Sequence, residues 1–253
     1  MIGAIAGDIV GSVYEWNNYK AKGFQPLFRY DCFYTDDTIC TIAVADALLN
    51  HKNPAMCLKE WGLRYFDNDG WGSAFRRWLQ SPDAGPYNSW GNGAAMRVSA
   101  AGWLATSLEH ALELATQVTE VTHNHPEGIK GAAATTMAIY LARQGQDSLT
   151  IRKSVAERFG YDLSLTVDQI RPGYRFNESC QGTVPQALVC ALEATGFEDA
   201  IRNAISIGGD SDTVAAIAGP VAEAMFGIPV WIVREVYGRL PKDMHEVLND
   251  LCR

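Results

Sequence analysis

Thr35-Asp36-Asp37-Thr38-Ile39-Cys40-Thr41-Ile42-Ala43-Val44-Ala45-Asp46-Ala47-Leu48 opens on hydroxyls and acids and continues with apolar residues three and four apart. That spacing predicts a helix with carboxylates crowded into its first turn. Gly208-Gly209-Asp210-Ser211-Asp212-Thr213, leading into Val214, Ile217, Ala218 and Val221, repeats the design. Both stretches place Asp-Thr before a β-branched apolar residue and an alanine-rich face. A third stretch, Gly7-Asp8-Ile9-Val10-Gly11-Ser12-Val13-Tyr14-Glu15, sets an acid before a predicted helix and another seven residues on, about two turns along the same face.

Working outward, the same periodicity recurs at Ala111, Leu112, Ala115, Val118 and Val121, and at Ala187, Leu188, Ala191 and Leu192. Alternation with period two is scarce, so helix is expected for about ten segments, and the expected fold is all-α in one multi-helix domain over residues 1–253. Turn chemistry punctuates the helices at Ser81-Pro82-Asp83-Ala84-Gly85-Pro86, Gly145-Gln146-Asp147, Arg171-Pro172-Gly173 and Thr195-Gly196. The least helical stretch runs from Tyr161 to Gly182, a lid or a long connector.

Acids at a helix start are explained in part by capping, since they meet the positive end of the helix dipole for about 0.3–1 kcal/mol each. A cap needs one acceptor oxygen, however, and each of these starts offers two carboxylates with two or more hydroxyls. A hard-cation site uses the surplus: magnesium and manganese take oxygen ligands from carboxylates, hydroxyls and water. If the two starts face each other, two divalent ions balance the charge of Asp36, Asp37, Asp210 and Asp212, and Thr35, Thr38 and Thr213 can add neutral oxygens. Without cations, repulsion among four carboxylates would drive their pKa values upward. Neither stretch continues into a calcium-binding EF-hand loop.

The 253 residues carry 21 basic and 29 acidic side chains, a formal net charge of −8. That excess argues against a nucleic-acid polymer or an anionic membrane as partner. No apolar run approaches the roughly 18 residues that span a bilayer. The beginning of the chain has no basic region resembling a signal peptide. The six cysteines Cys32, Cys40, Cys57, Cys180, Cys190 and Cys252 show no zinc-like spacing, and are expected as reduced, mostly buried thiols of a cytoplasmic protein.

Two glycine-rich stretches suit an anionic or sugar ligand. In Asn68-Asp69-Gly70-Trp71-Gly72-Ser73, glycines around an aromatic precede an amphipathic helix, where backbone N–H groups can approach an anion. In Tyr87-Asn88-Ser89-Trp90-Gly91-Asn92-Gly93-Ala94-Ala95-Met96-Arg97, small residues let a ligand pack close to backbone and Trp90 can stack on a ring. His123-Asn124-His125-Pro126 has no cysteine or further histidine nearby to complete a soft metal site, so one of its histidines is expected to hydrogen-bond at a pocket wall. No GxSxG elbow and no cysteine beside a base supports nucleophilic catalysis.

In this order, the acidic starts, Gly70-Trp71-Gly72, Gly91-Asn92-Gly93-Ala94-Ala95-Met96-Arg97, His123-Asn124-His125-Pro126 and Thr183-Val184-Pro185-Gln186-Ala187-Leu188 resemble the ADP-ribosylglycohydrolase family. That family includes the dinitrogenase-reductase-activating glycohydrolases. The resemblance covers residues 2 to about 230 and rests chiefly on the TDDT and GGDSDT elements. It implies two magnesium or manganese ions in an ADP-ribose cleft, with Thr35, Asp36 and Asp37 facing Asp210, Asp212 and Thr213 as ligands and Glu15 at or beside them. Gly70, Trp71 and Gly72 would cradle the pyrophosphate, and Gly91, Asn92, Gly93, Met96 and His125 would line the ribose and adenine side. Asp69 stands where relatives often carry a basic residue, and no one of Asp67, Asp69 and Asp83 is assigned to the family acid that works on the opened ribose.

The chemistry expected from such a site is hydrolysis of the bond between ADP-ribose and a protein side chain. The metals would orient the sugar and activate water, while Glu15 and Asp210 move protons as the catalytic carboxylates. The alternatives are hydrolysis of a small ADP-ribosyl or nucleotide metabolite, or a non-catalytic ADP-ribose-binding module.

Overall fold

The computed structural model describes residues 1–68 and 70–251. The first half of the chain forms α1 (Ile2–Gly11), α2 (Asp36–Leu49), α3 (Pro54–Arg64), α4 (Ser73–Leu79), α5 (Gly93–Met96), α6 (Ser99–Leu104) and α7 (Leu108–Thr119). The second half forms α8 (Pro126–Arg143), α9 (Ser148–Phe159), α10 (Val167–Ile170), α11 (Cys180–Leu192), α12 (Phe197–Ser206), α13 (Ser211–Phe226), α14 (Val230–Tyr237) and α15 (Lys242–Asp250). Among the described residues no strand forms, and Gly91 and Ser179 make a lone antiparallel bridge. The all-α expectation holds, with more helices than the periodicity resolves, because four-residue helices such as α5 and α10 are too short to show a period.

Capping sets several boundaries. Thr35, Asn53, Ser107, Asp147 and Ser179 each accept a backbone N–H of the helix they begin, and Gly160 closes α9 at φ 67°. The third acidic stretch departs from expectation. Asp8 lies inside α1, near its end, and Glu15 lies beyond the helix in a 3-10 turn, Glu15–Asn17. The run Ile2-Gly3-Ala4-Ile5-Ala6 is already helical, so the Gly7-Asp8 pair does not start a helix.

The pair α1 and α13 forms the centre of one apolar core that includes Ile5, Ile9, Ile39, Ile42, Leu188 and Ile217. Their approach requires glycine. A Cβ on Gly7 would lie 2.1 Å from the Ala215 carbonyl oxygen, and the same crowding recurs one turn away on each side, at Gly3 against Gly219 and at Gly11 against Asp212. Backbone contact between the two helices therefore carries Asp8 and the Glu15 turn up against the start of α13. The five described cysteines are free and buried; Cys252 lies outside the described residues. No described helix is long and apolar enough to cross a membrane.

Candidate active site

The starts of α2 and α13 meet. Thr213 Oγ1 donates to Asp37 Oδ2 at 3.2 Å, and both helices open their acidic turns onto one cavity of about 280 Å³. Glu15, Asp36, Asp37, Asp210, Asp212 and Thr213 all line it. Capping does not account for these acids. Asp210 occupies the N-cap position of α13, yet its side chain caps no backbone N–H and instead accepts from Asn92 Nδ2 at 2.6 Å. Asp37 Oδ1 is buried with no hydrogen-bond partner at all.

Asp8 fixes the first acidic turn from behind. Its Oδ1 accepts from Thr35 Oγ1 at 2.8 Å, and its Oδ2 accepts from Thr35 N at 3.0 Å, from Thr38 N at 3.1 Å and from Thr38 Oγ1. Thr35 Oγ1 also accepts from Asp37 N. Thr35 and Thr38 are thus turned toward Asp8, behind the cavity wall, while Asp36 and Asp37 face forward. At the other edge, Gly70 holds φ 103° and its α-carbon faces Asp36; an added Cβ would stand 2.4 Å from Asp36 Oδ1.

The acids are strongly perturbed. Burial, reinforced by the charges of Asp212, Asp8 and Glu178, pushes Glu15 up to about 8. Burial likewise raises Asp210 to about 7 and Asp8 to about 6, the latter against the pull of its threonine hydrogen bonds. Asp36, Asp37 and Asp212 are held well above the usual carboxylate range by burial and then by neighbouring charge, that of Asp212 and Asp8 on Asp36 and Asp37 and that of Asp210 and Asp8 on Asp212. Glu15, Asp210 and Asp212 each bring an oxygen to within 4.8 Å of the others. An all-oxygen donor set, buried at Asp210 and Asp212 and half-buried at Glu15, with an orphaned carboxylate oxygen beside it, suits a hard divalent cation.

The remaining wall comes from the glycine-rich loops. Gly70, Gly72, Gly91, Asn92, Gly93 and Met96 line the cavity, and Asn92 Nδ2 contacts Thr183 Oγ1 as well as Asp210. Trp71 does not reach it: the ring is buried, stacked on Phe75 at 5.5 Å, with Nε1 donating to the Tyr65 carbonyl. His125 does not line it either. Its Nδ1 caps α8 by accepting from Glu127 N, and its ring lies 5.4 Å from Trp90. The histidine at the wall is His123. Asp67 and Asp83 are exposed and outside the cavity lining, and Asp69 lies outside the described residues.

Tyr87, Ser89, Arg97, Phe176 and Glu178 also line the cavity without having been singled out individually. The first three belong to the quoted glycine-rich motif, so the signal was present. Phe176 and Glu178 come from the least helical stretch, from its segment between α10 and α11, which is tied down by Lys20: its Nζ donates to the carbonyls of Tyr174, at 2.6 Å, and Ile207. Phe176 stacks on the exposed Trp16 at 5.2 Å, next to Glu15 in sequence.

A family model described as ADP-ribosylglycohydrolase matches residues 1–253. The chain is 24% identical to ADP-ribosylhydrolase ARH3 of Homo sapiens over 306 residues, covering 90% of this chain and 84% of that one. It is 25% identical to ADP-ribosylarginine hydrolase Tri1 of Pseudomonas putida strain GB-1 over 289 residues, covering 99% of this chain and 76% of that one. A solved chain described as part of an ADP-ribosylglycohydrolase-related protein complex shares the fold, with a TM-score of 0.72 at 23% identity over 99% of this chain and 95% of that one.

Proposed function

The chain is a hydrolase of the ADP-ribosylglycohydrolase family, and on that premise we propose that its cavity binds ADP-ribose attached to a protein side chain and hydrolyses the glycosidic bond. The observation that carries this reading is the orphaned Asp37 oxygen among buried and half-buried carboxylates from α2, α13 and the Glu15 turn, facing a cavity walled by glycine-rich loops. The names of the two relatives, one an ADP-ribosylhydrolase and one an ADP-ribosylarginine hydrolase, support the same chemistry.

Asp36, Asp37, Asp210, Asp212 and Glu15 would hold two divalent cations, magnesium or manganese, with Thr213 beside them and Thr35 steadying Asp37 from behind. When bound, the cations supply Lewis-acid polarisation of oxygen and offset the carboxylate charge. The chain's own residues do the rest. Gly70 and Gly72 on one wall and Gly91 and Gly93 on another leave room for the ligand's diphosphate and sugar close to backbone. Asn92 fixes the orientation of Asp210 through its 2.6 Å hydrogen bond. In hydrolysis, water adds its oxygen to the anomeric carbon and the bond to the acceptor atom breaks. One proton leaves the water and one reaches the acceptor. Asp210 is placed to take the first at a carboxylate oxygen, and Glu15, in the same acidic cluster, to give the second.

The test is release of labelled ADP-ribose from modified protein. Magnesium or manganese should support release, EDTA should abolish it, and an Asp36→Asn, Asp212→Asn double variant should lose at least about a hundredfold in rate. Undiminished release in EDTA or by the double variant would overturn the proposal. Small ADP-ribosyl conjugates offered in parallel report whether the protein portion of the substrate is needed.

A further inference from the structure

Among the described residues, six carboxylates and a single guanidinium line the cavity. The guanidinium belongs to Arg97, which is 1% exposed. Its hydrogen bonds run from Nη2 to the Val118 carbonyl at 3.4 Å, to Thr122 Oγ1 at 2.7 Å and toward His123 Nδ1 at 3.5 Å; none reaches a carboxylate, and Nε has no partner. The nearby Cys40 thiol does not supply the missing anion, because burial raises its pKa above the ordinary thiol value and keeps it neutral. A buried cation with no buried anion is costly unless a ligand completes it.

The same contacts decide the state of His123. Arginine has only donors, so Arg97 Nη2 fills a lone pair of the Thr122 hydroxyl. The hydroxyl proton is then free for His123 Nδ1, 2.8 Å away. With Arg97 Nη2 and the Thr122 hydroxyl both turned to Nδ1, the arrangement favours the neutral tautomer in which Nδ1 is the bare acceptor and the proton sits on Nε2. Burial and the Arg97 charge both oppose a second proton. Nε2 itself faces the glycine loop: a Cβ on Gly91 or on Gly93 would lie 3.5 or 3.3 Å from it. An Nε2–H there can bind only an acceptor atom, and the uncompensated guanidinium behind it favours an anionic one.

We propose that Arg97 and Thr122 are positioning residues that hold neutral His123 with its proton on Nε2, so that Nε2–H donates to a diphosphate oxygen of the ligand at the Gly91–Gly93 loop. This rests on the reading that the cavity takes ADP-ribose. The opposite tautomer would aim a lone pair at the phosphate oxygen and repel it. The positive pole of the cavity is therefore an arginine acting through a hydroxyl and an imidazole, in a chain of formal net charge −8.

The experiment uses the full chain with magnesium present. Imidazole nitrogen spectra of histidine-labelled protein, with His123 assigned by its loss in His123→Gln, should show a protonated Nε2 and a bare Nδ1. Thr122→Val, which removes the hydroxyl at nearly constant shape, should mix the tautomers and weaken ADP-ribose binding about tenfold by calorimetry. Thr122→Ser should restore both. A wild-type ring protonated on Nδ1, or a Thr122→Val protein with unchanged tautomer and affinity, would overturn the proposal, while folding is checked by the remaining histidine signals. Absence of any ADP-ribose binding by the wild type would instead overturn the reading of the cavity, whatever the tautomer.

Discussion

Both carboxylate oxygens of Asp8 are taken by the start of α2, in four hydrogen bonds to Thr35 and Thr38. Its task is to hold the turn that aims Asp36 and Asp37, so removing it strands two buried N–H groups and two hydroxyls. Asp8→Ala should lower stability by about 3 kcal/mol or more in urea denaturation, with Asp8→Asn intermediate because one acceptor oxygen remains. An unchanged midpoint in both would contradict this role. The Asp8 contact was hard to foresee, since its partners lie 27 and 30 residues away in sequence. The choice between His123 and His125 was equally hidden. Both sit in one motif, and the outcome turns on His125 capping α8 while His123 is turned inward by Thr122 and Arg97. Trp71 lies in the core, where Phe75, in the first turn of α4, stacks on it.

At the scale of helices, the placement of the acids depends on how closely α1 and α13 approach. In an ordinary exposed helix, glycine to alanine is favourable by about 1 kcal/mol. At Gly7 the sign should reverse, because a methyl would meet the Ala215 carbonyl at 2.1 Å and the obstacle is backbone, which cannot swing aside. Gly7→Ala should destabilise the chain by about 1–3 kcal/mol and lower activity further by moving Asp8 and Glu15 away from α13. A stabilised Gly7→Ala would show that the helices stand farther apart. Helix content and the two acidic starts were legible because both are local: spacing of apolar residues, and carboxylates in excess of what a cap uses. The extent of α1 was not, since Gly7-Asp8 has the look of a helix boundary and only packing against α13 keeps it helical. Phe176 and Glu178 lay in the stretch without period, where long-range bonds from Lys20 set the path.

For the whole molecule, the acidic excess of −8 divides between a solvated surface and buried carboxylates, and two divalent cations would halve it. The buried share governs how stability responds to pH. Asp8, Asp210 and Glu15, at about 6, 7 and 8 in the cation-free fold, bind protons more tightly than their ordinary values of 3.8, 3.8 and 4.5. Their contribution to stability is present below about pH 4 and is lost as pH rises through 6 to 8. His123 works in the opposite sense: held below its ordinary 6.5, it favours the fold above that pH and weakens it as pH falls. Three or more carboxyls outweigh one imidazole. EDTA-treated protein should therefore melt at a lower temperature at about pH 7.5 than at about pH 5.5, and saturating magnesium or manganese should reverse that order by favouring the ionised carboxylates. A cation centre assembled from two helix starts and the Glu15 turn is tested most directly by anomalous diffraction from crystals grown with manganese and ADP-ribose. Two anomalous peaks at ligand distance from Asp36, Asp37, Asp210, Asp212 and Glu15 are predicted, with the sugar beside them. ADP-ribose bound in the cavity with no manganese at these carboxylates would contradict it.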